Sequence, residues 1–442
     1  LTGFISARIG RKRLFMWSVA GFTVASMLCG AAQSLDQIVL FRLLQGIFGA
    51  SLVPLSQAVL LDTYPPEKHG SAMAMWGIGV MVGPILGPSL GGWLTEYYNW
   101  RWVFYINLPF GLLAWFGLAA FIEETKLDAS RRFDLLGFAL LSLGIGALQM
   151  ALDRGESQNW FASREIVIET VMMVMAFYLF VVHIFTHPHP YIEPALFKDR
   201  NFSVGLVFIF IVGIILLATM TLLPPFMQGL MGYPVIDVGY LLAPRGVGTM
   251  FAMMLVGRLS GRVDVRILIL LGLLLTSFSM WEMTLFNTDI SSWDIVRTGI
   301  VQGLGLGFIF VPLSTITFAT LAPRYRNEGT ALFSLVRNIG SSIGISVVIT
   351  YLAQRTQMNH EVFASYITPF NAGLQQGMGT AALVTPKGLA MLNGEVTRQA
   401  SLLAYLQDFR LMMWVSLCAI PLVLLLKAPK RGGGKEALAI LE

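Results

Sequence analysis

Charge is what this sequence has least of. Asp, Glu, Lys and Arg make up 12% of its 442 residues, where soluble domains carry about 25%, so an ordinary water-facing surface is excluded. Cysteine is nearly absent: Cys29 and Cys418 are the only two, each inside an apolar run, which leaves no disulfide framework and no cysteine-ligated zinc site. No glycine-rich phosphate loop, paired catalytic carboxylates or nucleophile elbow occurs. ATP-driven and hydrolytic chemistry therefore have no motif here, and neither an enzyme nor a cofactor is expected. Basic residues outnumber acidic ones by 30 to 25, but no basic patch is interleaved with aromatics, so nucleic acid is not an expected partner.

What is there is apolar: 55% hydrophobic residues and a mean hydropathy of +0.69. Runs of about 20 residues, enough to cross about 30 Å of hydrocarbon, lie near 14–33, 37–61, 71–94, 102–122, 135–152 and 166–186. A second group lies near 203–227, 238–258, 265–286, 294–321, 330–352 and 408–427. The reading is an all-α polytopic membrane protein with about twelve complete spans and a stub at 1–7. Lys and Arg collect on alternate connections, including Arg8, Arg11, Lys12, Arg13, Lys68, Lys126, Arg131, Arg132, Lys198, Arg200, Arg258, Arg324 and Lys427, whereas 31–36, 229–237 and 286–293 carry none. Basic connections stay inside, so that side is expected to be cytoplasmic, together with a tail over 428–442. The chain opens on Leu1 without an initiator Met and is read as lacking its first helix and most of its second.

The densest pattern lies at 77–93, GIGVMVGPILGPSLGGW. Gly79, Gly83, Gly87 and Gly91 recur every four residues and so share one helix face, while Pro84 and Pro88 are tolerable only in a membrane helix whose neighbours satisfy the freed carbonyls. A bent helix with a groove that another helix enters closely is expected. One outer connection, about 353–407, is too long to be structureless. Its Pro386 suits the first turn of a helix, and a partly helical excursion is expected.

Two stretches echo each other. Gln45-Gly46 answers Gln302-Gly303, Pro54-Leu55-Ser56 answers Pro312-Leu313-Ser314, and Gly70 answers Gly329. Both copies run in the same direction, as in parallel-repeat transporters that hold their substrate between halves near the midplane. Residues 3–13, GFISARIGRKR, are similar to the basic cytoplasmic turn of the major facilitator superfamily, with Ala7 where that pattern has Asp. Arg42-Leu43-Leu44-Gln45-Gly46 is similar to its RxxQG motif, and 77–93 to the antiporter motif of its exporters. The chain thus resembles the fourteen-helix drug:proton antiporter group, most of all its EmrB-like branch.

The resemblance implies two six-helix halves plus two inserted helices: 1–122 as the first half, 123–200 as the inserted pair with its connections, and 201–427 as the second half. It further implies proton-coupled export of hydrophobic compounds from a bacterial inner membrane by alternating access, and a periplasmic adaptor and outer-membrane channel as partners. A facilitator or importer on the same fold and a non-transporting sensor are the alternatives. Arg42, Gln45, Gly46, Arg8, Gly10 and Arg11 are the implied coupling and gating residues, and Gly79, Gly83, Pro84, Gly87, Pro88 and Gly91 the antiporter-motif residues. Intramembrane polar side chains are functional candidates by default. Gln57, Gln149, Gln228, Arg245, Gln302, Arg337 and Asn338 are therefore assigned to a substrate cavity, with helix-to-helix hydrogen bonding as the other explanation. Among acids, Glu282 and Glu169 are shallow and Asp62 and Asp134 lie at the inner boundary; the resemblance implies a main proton carrier in the first helix, which the sequence is read as lacking. His183, His187 and His189 cluster, but Pro188 and Pro190 impose an extended linker and no acid or cysteine is suitably spaced, so no metal site is expected.

Overall fold

A computed structural model describes residues 2–65, 68–124, 133–259, 262–322, 325–368 and 385–427. The expected tail at 428–442, the middle of the outer excursion at 369–384, and Lys126, Arg131, Arg132 and Arg324 lie outside the described residues. Every described element is helical, as hydrocarbon requires: a backbone amide there has no water to bond and must find its partner within its own segment.

The first half comprises α1 (Thr2–Ile9), α2 (Arg11–Ala31), α3 (Leu35–Gly49), α4 (Leu52–Thr63), α5 (His69–Tyr97), α6 (Trp102–Tyr105) and α7 (Asn107–Phe121). Two inserted helices follow, α8 (Leu135–Arg154) and α9 (Arg164–Thr186). The second half comprises α10 (Arg200–Pro225), α11 (Val235–Leu259), α12 (Val265–Met283), α13 (Ser292–Ala319), α14 (Arg326–Ser365) and α15 (Pro386–Cys418). Among the described residues, 11 helical segments are long and apolar enough to cross a membrane, with α3 and α4 counted as one. The 29-residue α5 adds a further long helix between the second and third of them. The inserted pair packs on itself and touches the second half through α8 and α14.

Helix starts follow local chemistry. Ser34, Asp134, Asp199, Asp264, Ser291 and Thr385 each accept a backbone N–H at the head of a helix, which satisfies a donor that has no partner inside the helix. Breaks do so too. α3 gives way to α4 at Ala50 and Ser51, four residues before Pro54, whose ring would meet the Ala50 carbonyl in a straight helix. Pro224 and Pro225 end α10, and the chain passes into a π-turn over Phe226–Leu230.

The outer excursion is less a loop than two spans carried onward. α14 is 40 residues long and α15 is 33, about 60 and 50 Å, and they pack against each other. Asn359 Nδ2 donates to the Ala400 carbonyl at 3.2 Å, and the His360 and Asn393 side chains meet at 3.0 Å. Pro386 occupies the first turn of α15, as its position in the sequence requires.

The halves meet most extensively through α5 and α11, with α4 against α14 and α5 against α13. These contacts concentrate at the end carrying the basic turns. Leu61, Met73 and Ala74 of the first half share one buried cluster with Met253, Val256, Phe310 and Val311 of the second. At the opposite end, the buried cluster of Phe226, Met280, Phe286, Tyr405 and Phe409 belongs to the second half alone. The halves thus share a buried core at the basic end, and α5 and α11 stay close towards the other, where a Cβ on Gly92 would lie 4.0 Å from Val235.

Candidate functional site

The basic end is pinned by charge. Asp62, at the end of α4, accepts Arg11 Nη1 on Oδ2 at 2.5 Å and Arg326 Nη1 on Oδ1 at 2.9 Å. Arg11 belongs to the first half and Arg326 to the second, so one carboxylate joins them. Arg326 also donates to the Leu61 carbonyl at 3.0 Å. Bonds of this kind, with both partners charged, are the stronger class of hydrogen bond. The sequence singled out Arg11 but treated Asp62 and Arg326 only as boundary residues.

Gly10 makes the turn before α2 possible. Its φ of +96° and ψ of 147° lie in a region open essentially to glycine alone. A Cβ there would also run into the Glu124 carboxylate. That carboxylate receives the Lys12 and Arg13 amides at 3.1 and 3.3 Å, an anion seated on the positive end of α2. Gly10→Ala is expected to destabilise the protein by about 1–3 kcal/mol, read as a lower melting temperature in detergent; an unchanged melting curve would contradict this. Arg8 is exposed, its guanidinium 5.9 Å from the Phe4 ring centroid, so it takes no part in the Asp62 cluster.

Arg42 and Gln45, the two polar residues of the RxxQG-like stretch, lie side by side. Arg42 Nη1 donates to Gln45 Oε1 at 3.0 Å and the guanidinium lies 5.5 Å from the Phe104 ring, while Gln45 itself is buried. Gly46 faces open space.

The expected cavity set divides. Gln57 is fully buried, and neither its amide oxygen nor its nitrogen has a hydrogen-bond partner among the described residues. Gln302, the counterpart of Gln45 in the other half, donates to Thr219 Oγ1 at 3.3 Å. Arg245 is buried where α11 meets α13 and donates to the Leu216 carbonyl at 3.4 Å. Asn338, with Pro54 and Glu328, lines a cavity of about 890 Å³ at the basic end, and Arg337 precedes it on α14. Two lie elsewhere. Gln149 sits on the inserted helix α8 and bonds Asp153 of its own helix at 2.8 Å, and Gln228 is exposed in the π-turn. An amide can be satisfied within one helix or at a membrane surface, which weakens the premise that every glutamine in a span faces a cavity.

The glycine-rich helix also departs from expectation. α5 runs unbroken through Pro84 and Pro88, but a Cβ built on Gly79, Gly83, Gly87 or Gly91 meets nothing within 4 Å. Among the described residues, no helix enters that groove. The close approach comes earlier on α5, at Gly77 beside Met253. The tightest glycine seam lies in the second half, where a Cβ on Gly303 would strike the Arg245 carbonyl and one on Gly307 would crowd Ala252.

One acid escaped the sequence reading. Asp408 on α15 is fully buried, and neither carboxylate oxygen has a hydrogen-bond partner among the described residues. Phe226, Phe286, Tyr405 and Phe409 form a ring-on-ring group around this part of α15, with centroids 5.4–6.3 Å apart. The acids weighed from sequence have different environments: Glu282 pairs with Arg297 at 2.8 Å and Asp134 with His183 at 2.9 Å. Glu169 is buried in a groove between α8 and α9. The signal for Asp408 was a carboxylate early in the last apolar run, within LLAYLQDFRLMMW.

Comparison with known proteins agrees with this geometry. The family model described as Major Facilitator Superfamily matches residues 1–345. The fatty acid resistance protein FarB of Neisseria gonorrhoeae is 35% identical over 441 residues, 98% of this chain and 86% of its own length. The multidrug export protein EmrB of Escherichia coli K12 is 32% identical over 443 residues, with the same coverage of both chains. Among solved structures, the human organic anion transporter MFSD10 superposes with a TM-score of 0.58 at 15% identity, covering 94% of this chain and 79% of its own. A bacterial homologue of the lysosomal transporter Spinster gives 0.53 at 19%, covering 97% and 88%. At such identities the structural likeness speaks for the fold alone.

Proposed function

The chain belongs to the major facilitator superfamily, and from that premise we propose that it exports hydrophobic compounds from a bacterial inner membrane in exchange for protons. It is a multi-pass membrane transporter and not an enzyme. The observation that carries the export reading is similarity to a multidrug export protein and a fatty acid resistance protein along 98% of the chain; a fragmentary match would have carried only the fold.

In this reading the basic end is cytoplasmic. The Asp62 cluster and the buried seam around Met73 and Met253 hold the inner gate shut. Rocking the halves the other way would break that seam and bring a partner against the open glycine face of α5. Gln57, Gln302, Arg245, Arg337 and Asn338 are the cavity residues of this proposal, and Arg42 with Gln45 shapes its outer wall. The long α14–α15 hairpin suits docking of a periplasmic adaptor.

Proton coupling is assigned here to Asp408 alongside any acid of the first half. A buried carboxylate without a hydrogen-bond partner is expensive to keep in a membrane protein unless it serves transport. It takes up and releases a proton as the aromatic group over it opens and closes. The test is proteoliposomes with an imposed pH gradient. Drug-dependent proton flux is expected from the wild type, and Asp408→Asn should lower it at least tenfold with substrate binding retained. Absence of drug-dependent flux for every compound tried would sink the antiport reading, and wild-type flux in Asp408→Asn would remove Asp408 from it.

A further inference from the structure

The inserted helices hold a cluster to which the export reading assigns no role. Asp134 caps α8, accepting Gly137 N on Oδ1 at 2.8 Å and Tyr191 N on Oδ2 at 2.9 Å. His183, in the last turn of α9, places Nε2 2.9 Å from both carboxylate oxygens. His187, four residues on, stacks on His183 with ring centroids 4.7 Å apart and planes inclined by 27°. One ligand atom from each of the three residues lies within 4.8 Å of the other two. The sequence reading dismissed these histidines because no acid stood at a suitable spacing. The fold brings one from 49 residues away.

We propose that Asp134, His183 and His187 bind one first-row divalent cation of the zinc class. Two imidazoles and a carboxylate are a borderline-soft donor set that suits such ions and not magnesium or calcium. With metal–ligand bonds of about 2.0–2.2 Å, tetrahedral donors stand about 3.3 Å apart, between the 2.9 Å of the His183–Asp134 contact and the 4.8 Å limit of the cluster. The site needs only small side-chain shifts.

The carboxylate is held for this by the two backbone amides. They occupy one lone pair on each oxygen and leave the others facing His183. Histidines at i and i+4 share a helix face, which converges their rings. On binding, the proton shared by His183 and Asp134 leaves, since a ligating imidazole nitrogen must be bare. His187 accepts the His189 amide on Nδ1 at 3.2 Å, the one local bond that coordination through that nitrogen would displace. Three protein ligands leave the fourth position to water.

Its place in the fold gives it a consequence. Asp134 anchors α8, His183 anchors α9, and His187 begins the linker that leads through Pro194–Lys198 into α10. Asp134 and residues 188–196 also line the 890 Å³ cavity at the basic end. A bound metal fixes that wall to both inserted helices.

The test counts metal, so its outcome is separate from that of the export reading. The full chain, purified without a polyhistidine tag and stripped with a chelator, is loaded with Zn2+, passed through gel filtration and measured by mass spectrometry. One zinc per chain is expected in the wild type and in His189→Ala. The His183→Ala/His187→Ala double variant should lose it while keeping its gel-filtration profile. Co2+ should give the strong visible bands of a tetrahedral ion, absent in the double variant. A wild type that retains no zinc, or equal zinc in the wild type and the double variant, overturns the proposal, as do Co2+ bands that the substitutions leave unchanged.

Discussion

Gly83→Leu is expected to yield a folded protein that no longer exports. Nothing lies within 4 Å of a Cβ at that position, so the leucine is accommodated in the conformation described. The alternate conformation has to close this face against the opposite half, and close helix packing in membranes relies on small residues. Overpacking costs about 1–3 kcal/mol, which biases a two-state equilibrium by about 5- to 150-fold. Transport should fall accordingly while yield and melting temperature stay at wild-type values. Gly303→Leu is the contrast. Its side chain would grow into the Arg245 carbonyl where α11 and α13 touch, so this variant should fail to accumulate as folded protein. Wild-type export by Gly83→Leu would mean that the face never closes.

The comparison of these two glycines also shows what the sequence disclosed and what it withheld. Spacing alone reveals that Gly79, Gly83, Gly87 and Gly91 share a face, because helix geometry is fixed. It cannot reveal whether a neighbour occupies that face in a given conformation, since that depends on how the halves are tilted. The apolar runs, the Pro54 bend and the Pro386 helix start were legible because each is set by residues within a turn or two. Gln149 and Gln228 lie elsewhere, since a polar residue in a span can be satisfied locally. The Asp134–His183 contact and the Asp62–Arg326 bond were out of reach for the opposite reason. They join residues 49 and 264 positions apart, and nothing local in the sequence distinguishes such residues from other boundary charges.

Asp62→Asn should release the basic end. An amide keeps the size of the carboxylate but loses the charge that attracts Arg11 and Arg326, and its nitrogen cannot accept from either. Asp62 is 35% exposed in its side chain and the two arginines 10% and 16%, so solvent screens the bonds partly. Arg11 and Asp62 both belong to the first half, so only the Arg326 bond bears on closure; at about 1 kcal/mol its loss is about fivefold in the balance between closed and open inner gates. Arg326→Gln also removes the bond to the Leu61 carbonyl, a second contact between the halves, and should give about 30-fold. Residues that share one partner do not behave independently, so adding Asp62→Asn to Arg326→Gln should change little further. The measurement is labelling of a cysteine placed in the buried seam, at Met73, by a membrane-impermeant thiol reagent applied from the basic side, in a background lacking Cys29 and Cys418. Labelling should accelerate in the order wild type, Asp62→Asn, Arg326→Gln. Equal rates in all three would show that the apolar seam of Leu61, Met73, Met253 and Val311 holds the gate shut unaided, with the charge cluster only riding on it.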